Sequence, residues 1–270
     1  AVRSRGLGDV YKRQEINFDI VNSYLSKGVK LNAFSKIIKN NLQNTKSESE
    51  YNLLEPWIQW PSVHTGLTYN EHKTFRLGDF INSDKKQFFE KVEEAGYSVG
   101  AISPMNASNK LKNPAYFIPD PWTATNSDPN FFSKGISAAI SQAVNDNSKS
   151  KITPKSILNL IIAFLFLVSP KNYFNLIKYA LSSISRSWRK ALFLDIFIHE
   201  VHKKLLKKHN PNFSTIFFNA GAHIQHHYFF NSPEVASENL INPEWYVESK
   251  YDPFLEMLIV YDKILGDYLD

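Results

Sequence analysis

The constraint that most limits the fold is a helix, a glycine and a short apolar run in succession, SDKKQFFEKVEEAGYSVGAISP. Ser83 is a candidate helix N-cap and Gly96 a candidate C-cap. Between them, Phe88, Phe89 and Val92 repeat with the spacing of one helical face. The run YSVGAISP then has the pattern of a short buried strand. A helix that leads directly into a buried strand is typical of α/β architectures, so the sequence predicts that class.

Three further segments extend this pattern towards both ends of the chain. Residues 15–40 predict a helical region that is interrupted at Gly28. The segment NFSTIFFNAG predicts a strand that ends where a run of histidines begins. The segment DPFLEMLIVYDKILGDYL predicts a final helix with a mostly apolar face.

The middle of the chain, residues 126–209, predicts a helical insertion. Its first part is rich in Ser, Asn, Asp and Lys, and long apolar runs follow. The run ILNLIIAFLFLV is shorter than the roughly 20 apolar residues that span a bilayer. A buried helix is therefore the favoured interpretation. The alternative is that residues 157–190 form an amphipathic hairpin on a membrane surface.

Charge and composition narrow the classes of partner and site. The formal net charge is +5, and many lysines lie in helical stretches such as HKKLLKKH. We therefore expect solvated helix faces and no nucleic-acid partner. The chain contains no cysteine, which excludes disulfides and thiolate metal sites. Any metal must bind through His, Asp, Glu or Asn side chains.

Residues 1–14 do not have the character of a targeting segment, because they lack the apolar run that a signal peptide needs. DVYKRQ back-translates to the end sequence of a transposase that is used in preparing sequencing libraries. We therefore expect residues 1–14 to be a non-native artefact, translated adapter in a metagenomic sequence, with the natural protein starting further upstream. The alternative is a basic natural N-terminus.

Three of the eight histidines lie within five residues in FFNAGAHIQHHYFF. Asn219 and His223 are four residues apart, directly after the predicted strand, where α/β proteins place ligand loops. This spacing lets one turn present both side chains to a divalent cation, and imidazole suits Zn²⁺, Mn²⁺ or Fe. We expect His226 and His227 to hydrogen-bond a substrate oxyanion. The alternative is that His223 caps a turn and that the other two histidines are exposed.

Two other polar motifs have both a functional and a structural interpretation. HEVH, from His199 to His202, is one residue shorter than the His-Glu-x-x-His of zinc proteases, so an exposed helix face is the favoured interpretation. FIPDPW holds Asp120 between two prolines in a rigid loop. Asp120 is a candidate substrate-binding residue, and a structural turn is the favoured alternative.

Four stretches, taken in order, resemble the alkaline phosphatase superfamily, in particular its type I phosphodiesterase and nucleotide pyrophosphatase branch. KLNAFSKIIKN resembles the helix after the family's first strand, and FFEKVEEAGYSVGAISPMN resembles a helix–glycine–strand unit. EPWIQWPSVHTGLTYNEHKTF resembles the nucleophile segment, in which Thr65, Gly66 and His72 match a Thr-Gly, a spacer and a His. NAGAHIQHHYF and YDKILGDYL resemble the metal-ligand loop and the helix after it. The resemblance covers residues 24–122 and 210–270.

The resemblance implies an alkaline-phosphatase-like central sheet flanked by helices, built from residues 15–125 and 210–270 and incomplete at both ends. It also implies a two-metal site, usually zinc, at which a Thr or Ser nucleophile attacks a phosphate ester. The expected function is that of a fragment of a metal-dependent phosphoester hydrolase, with a sulfatase-like range also open. Its expected substrate is a small-molecule or glycan phosphoester or sulfate.

The match is incomplete at the positions that carry the chemistry. His223 matches a metal-binding His of the family, whereas Asn219 stands where the family has an Asp. The nucleophile position falls on Pro56, which has no hydroxyl. Glu55 and Ser62 are nearby, but neither has the right offset. The catalytic residue is therefore left unassigned.

Two alternatives to the hydrolase stay open. The departures at Pro56 and Asn219 favour a catalytically inactive member of the same fold that acts as a binding protein. The second alternative is a membrane-surface protein that uses the helices at 157–190. We expect a cytoplasmic or peripheral membrane location.

Overall fold

A computed structural model describes residues 16–40, 42–43, 48–145, 152–236 and 240–269. The predicted adapter at residues 1–14 lies outside this part of the chain. The described residues form a mixed α/β fold that is mostly helical and contains a small parallel sheet. The α/β class predicted from the sequence is confirmed at this level.

The chain divides into two compact units, each assembled from separate segments. Unit 1 comprises Ala1–Ser49, Phe174–Ile196 and Phe218–Asp270, and unit 2 comprises Glu50–Tyr173 and Phe197–Phe217. The parallel sheet and the predicted nucleophile segment belong to unit 2, and the histidine-rich stretch AHIQHHY belongs to unit 1.

The helices of the described residues are α1 (Phe18–Ser26), α2 (Asn32–Asn40), α3 (Pro56–Thr65), α4 (Tyr69–His72), α5 (Phe88–Glu94), α6 (Phe131–Asn145), α7 (Pro154–Leu167), α8 (Tyr173–Ser182), α9 (Arg189–His209), α10 (Ala220–Tyr228) and α11 (Pro253–Leu269). The strands are β1 (Val99–Ile102), β2 (Tyr116–Ile118) and β3 (Phe213–Ile216).

The sheet of unit 2 has three parallel strands in the order β2-β1-β3. Gly100 of the central strand pairs with Tyr116 on one side and with Ser214 on the other. The predicted strands YSVGAISP and NFSTIFFNAG are therefore confirmed, and they are neighbours. Because all three strands run the same way, their carboxyl ends meet at one edge of the sheet.

One face of the sheet packs against α5. Val99 and Ala101 of β1 and Phe117 of β2 form a buried cluster with Phe89 of α5, and Phe88 packs against its margin. Alternate residues of β1 point to this face, as the period of a strand requires. The apolar face predicted for the helix is therefore confirmed.

The ends of α5 differ from the sequence prediction. The helix begins after Gln87 rather than after Ser83, because Gln87 and Glu90 form a reciprocal capping box. Gly96 follows the cap residue Ala95 and has a φ of +87°. Gly96 is therefore the residue after the C-cap, and its left-handed conformation, which glycine adopts without strain, terminates the helix.

The helix of the apolar run, α7, is not the buried helix that was the favoured interpretation. Only Ser156, Ala163 and Leu167 are buried, and most of the large apolar side chains are exposed. The prediction was wrong because small side chains occupy two of the inward positions, so the bulk of the apolar surface lies on the outward face. Within the described ranges, no helix is both long enough and apolar enough to cross a bilayer.

In unit 1, α11 packs against α2 and α10. The Asp262 carboxylate of α11 accepts hydrogen bonds from the backbone N–H groups of Asn32 and Phe34, at 3.0 Å and 2.9 Å. These bonds satisfy two of the N–H groups that a helix start leaves unpaired. The predicted helices before and after Gly28 and the predicted final helix are all confirmed.

Candidate functional site

Helix α3 lies against the carboxyl ends of the parallel strands. His64 donates a hydrogen bond from Nε2 to the carbonyl oxygen of Met105, three residues beyond β1, at 2.9 Å. The ring of Trp60 meets the ring of Phe217, the residue after β3, edge-on, with the ring centroids 5.3 Å apart. Both contacts lie within unit 2. Helix α3 is therefore at the edge of the sheet where open α/β sheets bind ligands.

The loop after β1 has two non-glycine residues in the left-handed backbone region, Ser103 at φ +56° and Asn106 at φ +52°. Such residues concentrate at functional sites and tight turns. Asn106 is fully buried, and its Nδ2 donates to the carbonyl oxygen of Trp57 at 2.7 Å. Its Oδ1 accepts from the N–H of Gly78 at 2.9 Å. The asparagine therefore ties the start of α3 to the sheet edge.

Asp120, the candidate substrate-binding residue, is buried two residues after β2. Its carboxylate accepts hydrogen bonds from the backbone N–H groups of Asn106, Trp122 and Thr123, at 2.8–2.9 Å. The Thr123 hydroxyl donates a further bond at 2.6 Å. Burial raises the pKa of Asp120, and these hydrogen bonds oppose that shift. Four donors on two oxygens are the pattern of a carboxylate that fixes a loop.

The start of α3 offers no hydroxyl group. Pro56 is buried at the first helical position, where its missing N–H leaves no intrahelical bond unmade. Glu55, the half-exposed N-cap residue, makes no side-chain capping bond. The position that the resemblance assigns to the nucleophile thus starts a helix.

Ser62 and His72 are hydrogen-bonded, and the direction of the bond argues against a serine–base pair. The Oγ of Ser62 lies 3.0 Å from Nε2 of His72. The Nδ1 of His72 accepts from the backbone N–H of Thr74 at 3.0 Å, so the neutral ring carries its proton on Nε2 and donates to Ser62. Burial lowers the pKa of His72, which keeps the ring neutral at pH 7. In this tautomer, His72 has no lone pair with which to take the Ser62 proton.

Thr65 and Gly66 close α3. The hydroxyl of Thr65 donates to the carbonyl oxygen of Pro61 at 2.7 Å and accepts from the N–H of Leu67 at 3.1 Å. Gly66 is the C-cap residue and has a φ of +73°. The Thr-Gly pair of the predicted nucleophile segment therefore terminates the helix.

In unit 1, α10 carries the histidine-rich stretch. Asn219 is the N-cap residue, and its side chain makes no capping hydrogen bond. Burial lowers the pKa of His223 to about 4, and the nearby His227 adds to the shift, so His223 is neutral at pH 7. The ring centroids of His223 and His227 are 4.7 Å apart. His226 is half-buried, whereas His227 is exposed.

The donor set of α10 fits part of a metal site. Asn219 offers an amide oxygen and His223 an imidazole nitrogen, fewer donors than the four of a closed zinc site. Across the ranges that the structure describes, His223, His226 and His227 do not bring three ligand atoms within 4.8 Å of one another. This helix therefore offers too few donor atoms to form a closed zinc site by itself.

Asp195 and Tyr261, which no sequence pattern singled out, hold the start of α10. The Asp195 carboxylate accepts from the N–H groups of Asn219 and Ala220, at 3.2 Å and 2.8 Å, and from the Tyr261 hydroxyl at 2.6 Å. The same hydroxyl oxygen accepts from the N–H of Gly221 at 2.8 Å. Burial raises the pKa of Asp195 to about 6, and the bond from Tyr261 opposes this. The signal that could have identified Asp195 is an acidic residue inside the apolar run ALFLDIFI.

The exposed helix face predicted for HEVH is wrong, because His199, Glu200 and His202 are all buried. His202 Nε2 lies 2.7 Å from the Oγ of Ser214, and that oxygen lies 2.7 Å from the Tyr116 hydroxyl. Burial lowers the pKa of His202 to about 4, with His199 adding to the shift. This part of α9 therefore covers the second face of the sheet rather than meeting solvent.

The candidate residues fall into two groups, one in each unit. In unit 2, Pro56 starts α3 and Thr65 ends it. Ser62 and His72 are hydrogen-bonded to each other. Asn219 and His223, in unit 1, keep donor atoms that suit a cation. No protein-family model, no curated protein sequence and no solved structure matches this chain.

Proposed function

We propose that this chain is part of a metal-dependent phosphoester hydrolase of the alkaline phosphatase lineage. The observation that carries the proposal is the position of α3 at the carboxyl edge of the parallel sheet, through the His64–Met105 and Trp60–Phe217 contacts. Ligands of open α/β sheets bind at that edge. The buried polar loop around Asn106, with its left-handed backbone, adds support, because such conformations persist where function requires them.

In this proposal Asn219 and His223 contribute ligands to a divalent metal, with zinc as the expected ion. A bound metal would polarise the phosphoryl oxygen of the substrate. His223 supports this role because its ring is neutral at pH 7 and its lone pair is therefore available. Asp195 fixes the backbone of Asn219, which holds the start of α10 in place rather than the loop that the sequence predicted.

The substrate class in this proposal is a small-molecule or glycan phosphoester, or a sulfate ester. The resemblance of the segments around Thr65 and His223 supports it. Both esters present tetrahedral oxyanions, and in this proposal His226, three residues after His223 on α10, donates a hydrogen bond to them.

A second candidate is a catalytically inactive member of the same lineage that binds a phosphoester or glycan. The specific observation in its favour is that the hydroxyls near the nucleophile position are committed elsewhere. Thr65 bonds to its own helix, and Ser62 accepts from His72. Pro56 leaves the expected position without a hydroxyl.

One experiment separates these two functions. The chain is stripped of metal with a chelator, reloaded with Zn²⁺ or Mn²⁺, and assayed with 4-nitrophenyl phosphate, bis(4-nitrophenyl) phosphate and 4-nitrophenyl sulfate. The hydrolase predicts turnover that requires metal and is lost in His223→Gln but kept in His209→Gln, a change of an exposed histidine at the end of α9. Metal binding without turnover favours the inactive member. Full turnover in the metal-stripped protein would overturn the proposal.

A further inference from the structure

The outward face of α7 is apolar and exposed to solvent. Leu158, Ile161 and Leu165 recur at the spacing of one helix face, and each is between 50% and 56% exposed. Phe166 is 64% exposed beside them. Exposed side chains of this size on one face are typical of a surface that meets an apolar partner.

Helix α8, which belongs mainly to unit 1, also has exposed apolar side chains. Phe174, Ile177 and Leu181 share one face, and Phe174 is 80% exposed. Ile184, just beyond the helix, is also exposed. Helices α7 and α8 therefore each expose large apolar side chains to solvent.

The charge of this part of the chain identifies the chemistry of the partner. Residues 147–194 contain eight Lys or Arg residues and no Asp or Glu. At the chain's average of 26 acidic residues in 270, a stretch of this length would carry about five. The basic residues are Lys149, Lys151, Lys155, Lys171, Lys178, Arg186, Arg189 and Lys190. The strongly one-sided charge favours an anionic partner.

Several of these cations are exposed at the surface rather than neutralised. Lys155 lies at the start of α7, Lys171 lies between the two helices, and Lys178 lies on α8, all exposed. Arg189, by contrast, forms an ion pair with Glu256 at 2.8 Å. Apolar side chains flanked by exposed lysines are the composition of helices that lie in the headgroup layer of a membrane.

We infer that the outward face of α7, with the exposed lysines Lys155 and Lys171 at its two ends, binds the surface of an anionic lipid bilayer. Leu158, Ile161 and Leu165 enter the boundary between headgroups and acyl chains, and the lysines contact the lipid phosphates. The helix lies on the bilayer, since none of the described helices can span it. An anionic lipid surface accounts for both the apolar face and the absence of acidic residues. This inference is independent of the proposed function.

Sedimentation with lipid vesicles tests the apolar part. The full chain is incubated with phosphatidylcholine vesicles that contain or lack phosphatidylserine. Binding is expected with phosphatidylserine, and the double variant Leu158→Gln/Leu165→Gln should weaken it by roughly tenfold or more, because two apolar side chains no longer leave water. The matched control is Leu240→Gln/Ile241→Gln, which removes two exposed aliphatic side chains elsewhere in the chain and should leave binding unchanged.

A charge reversal tests the electrostatic part. Lys155→Glu/Lys171→Glu should weaken binding to phosphatidylserine vesicles, whereas Lys207→Glu/Lys208→Glu, the same charge change on exposed lysines of α9, should weaken it much less. Absence of vesicle binding by the wild-type chain would overturn the inference, as would binding that Leu158→Gln/Leu165→Gln leaves intact. Dimerisation by the α7 face in light scattering, without vesicle binding, would assign the face to a second copy and would also overturn it.

Discussion

The ring of Tyr116 lies directly over the α-carbon of Gly100. A Cβ added to Gly100 would be 2.3 Å from Cζ of the tyrosine ring, closer than any real contact of that kind. The missing side chain lets Tyr116 cross the central strand and place its hydroxyl 2.7 Å from Ser214, on the strand beyond. A glycine in β1 thus allows a buried polar chain, Tyr116–Ser214–His202, to cover the sheet.

Replacing Gly100 by alanine should destabilise the protein by about 2–4 kcal/mol, because the tyrosine ring must move and its buried hydrogen bond is lost. Urea unfolding at pH 7 measures the change. The matched control is Gly135→Ala in α6, where the added Cβ meets Asn159 at an ordinary 3.5 Å. That control should be neutral or stabilise by up to about 1 kcal/mol, since alanine favours helix. Equal stability of the two variants would contradict the account.

Acidification should destabilise the chain below pH 6.5 through its buried histidines. Burial lowers the pKa values of His64 and His202 to about 4, from about 6.5 in the unfolded chain. Between these values the unfolded state binds more protons, so stability falls as the pH falls. Each histidine should contribute a loss of about 2 kcal/mol between pH 7 and pH 5.

Urea unfolding at the two pH values checks this expectation. His202→Gln should remove about 2 kcal/mol of the pH-dependent loss. His209→Gln, which changes an exposed histidine on the same helix, should leave most of the loss in place. If His202→Gln and the wild-type chain lose the same stability, His202 is not held neutral by burial.

Tyr261→Phe should destabilise the chain by about 2 kcal/mol. The hydroxyl bridges the Asp195 carboxylate and the N–H of Gly221, both buried, so its removal leaves two polar groups without this partner. A double-mutant cycle with Asp195→Asn should give a coupling energy of about 1 kcal/mol or more, because the two side chains are in direct contact. Tyr97→Phe, at an exposed tyrosine, is the control. A loss no larger than that of the control would count against the buried pair.

His72 should be the Nε2–H tautomer at pH 7. The hydrogen bond from the Thr74 N–H to Nδ1 fixes the proton on Nε2, which donates to Ser62. The ¹⁵N shifts and two-bond ¹⁵N–¹H couplings of the imidazole distinguish the tautomers. Thr74→Pro would remove the donor and serves as a perturbed comparison. A proton on Nδ1 in the wild-type chain would reopen a role for Ser62 as a nucleophile.

Local patterns were enough to predict the elements whose spacing repeats. The face of Phe88 and Phe89, the strand after Gly96 and the final helix all follow from residues that are neighbours in sequence. The start of α5 was misplaced at Ser83, although Gln87 and Glu90 already have the spacing of a capping box. The error arose because Ser83 was taken as the helix N-cap in place of Gln87.

Other features could not follow from local patterns, because they depend on distant partners. The burial of His202 depends on Ser214, which the sheet places beside Tyr116. Asp195 is explained by Tyr261, 66 residues further along the chain. The structural hydrogen bonding of Asp120 requires Asn106 from the preceding loop. The sequence shows where these polar residues lie along the chain, and only the tertiary structure shows which groups they bond.

The most direct test of the proposed metal-dependent chemistry is a calorimetric Zn²⁺ titration of the metal-stripped chain. The account predicts saturable binding of at least about one equivalent, weakened about tenfold or more in His223→Gln. His209→Gln should bind Zn²⁺ as the wild type does. Failure of the wild-type chain to bind Zn²⁺, or equal affinity in His223→Gln, would contradict it.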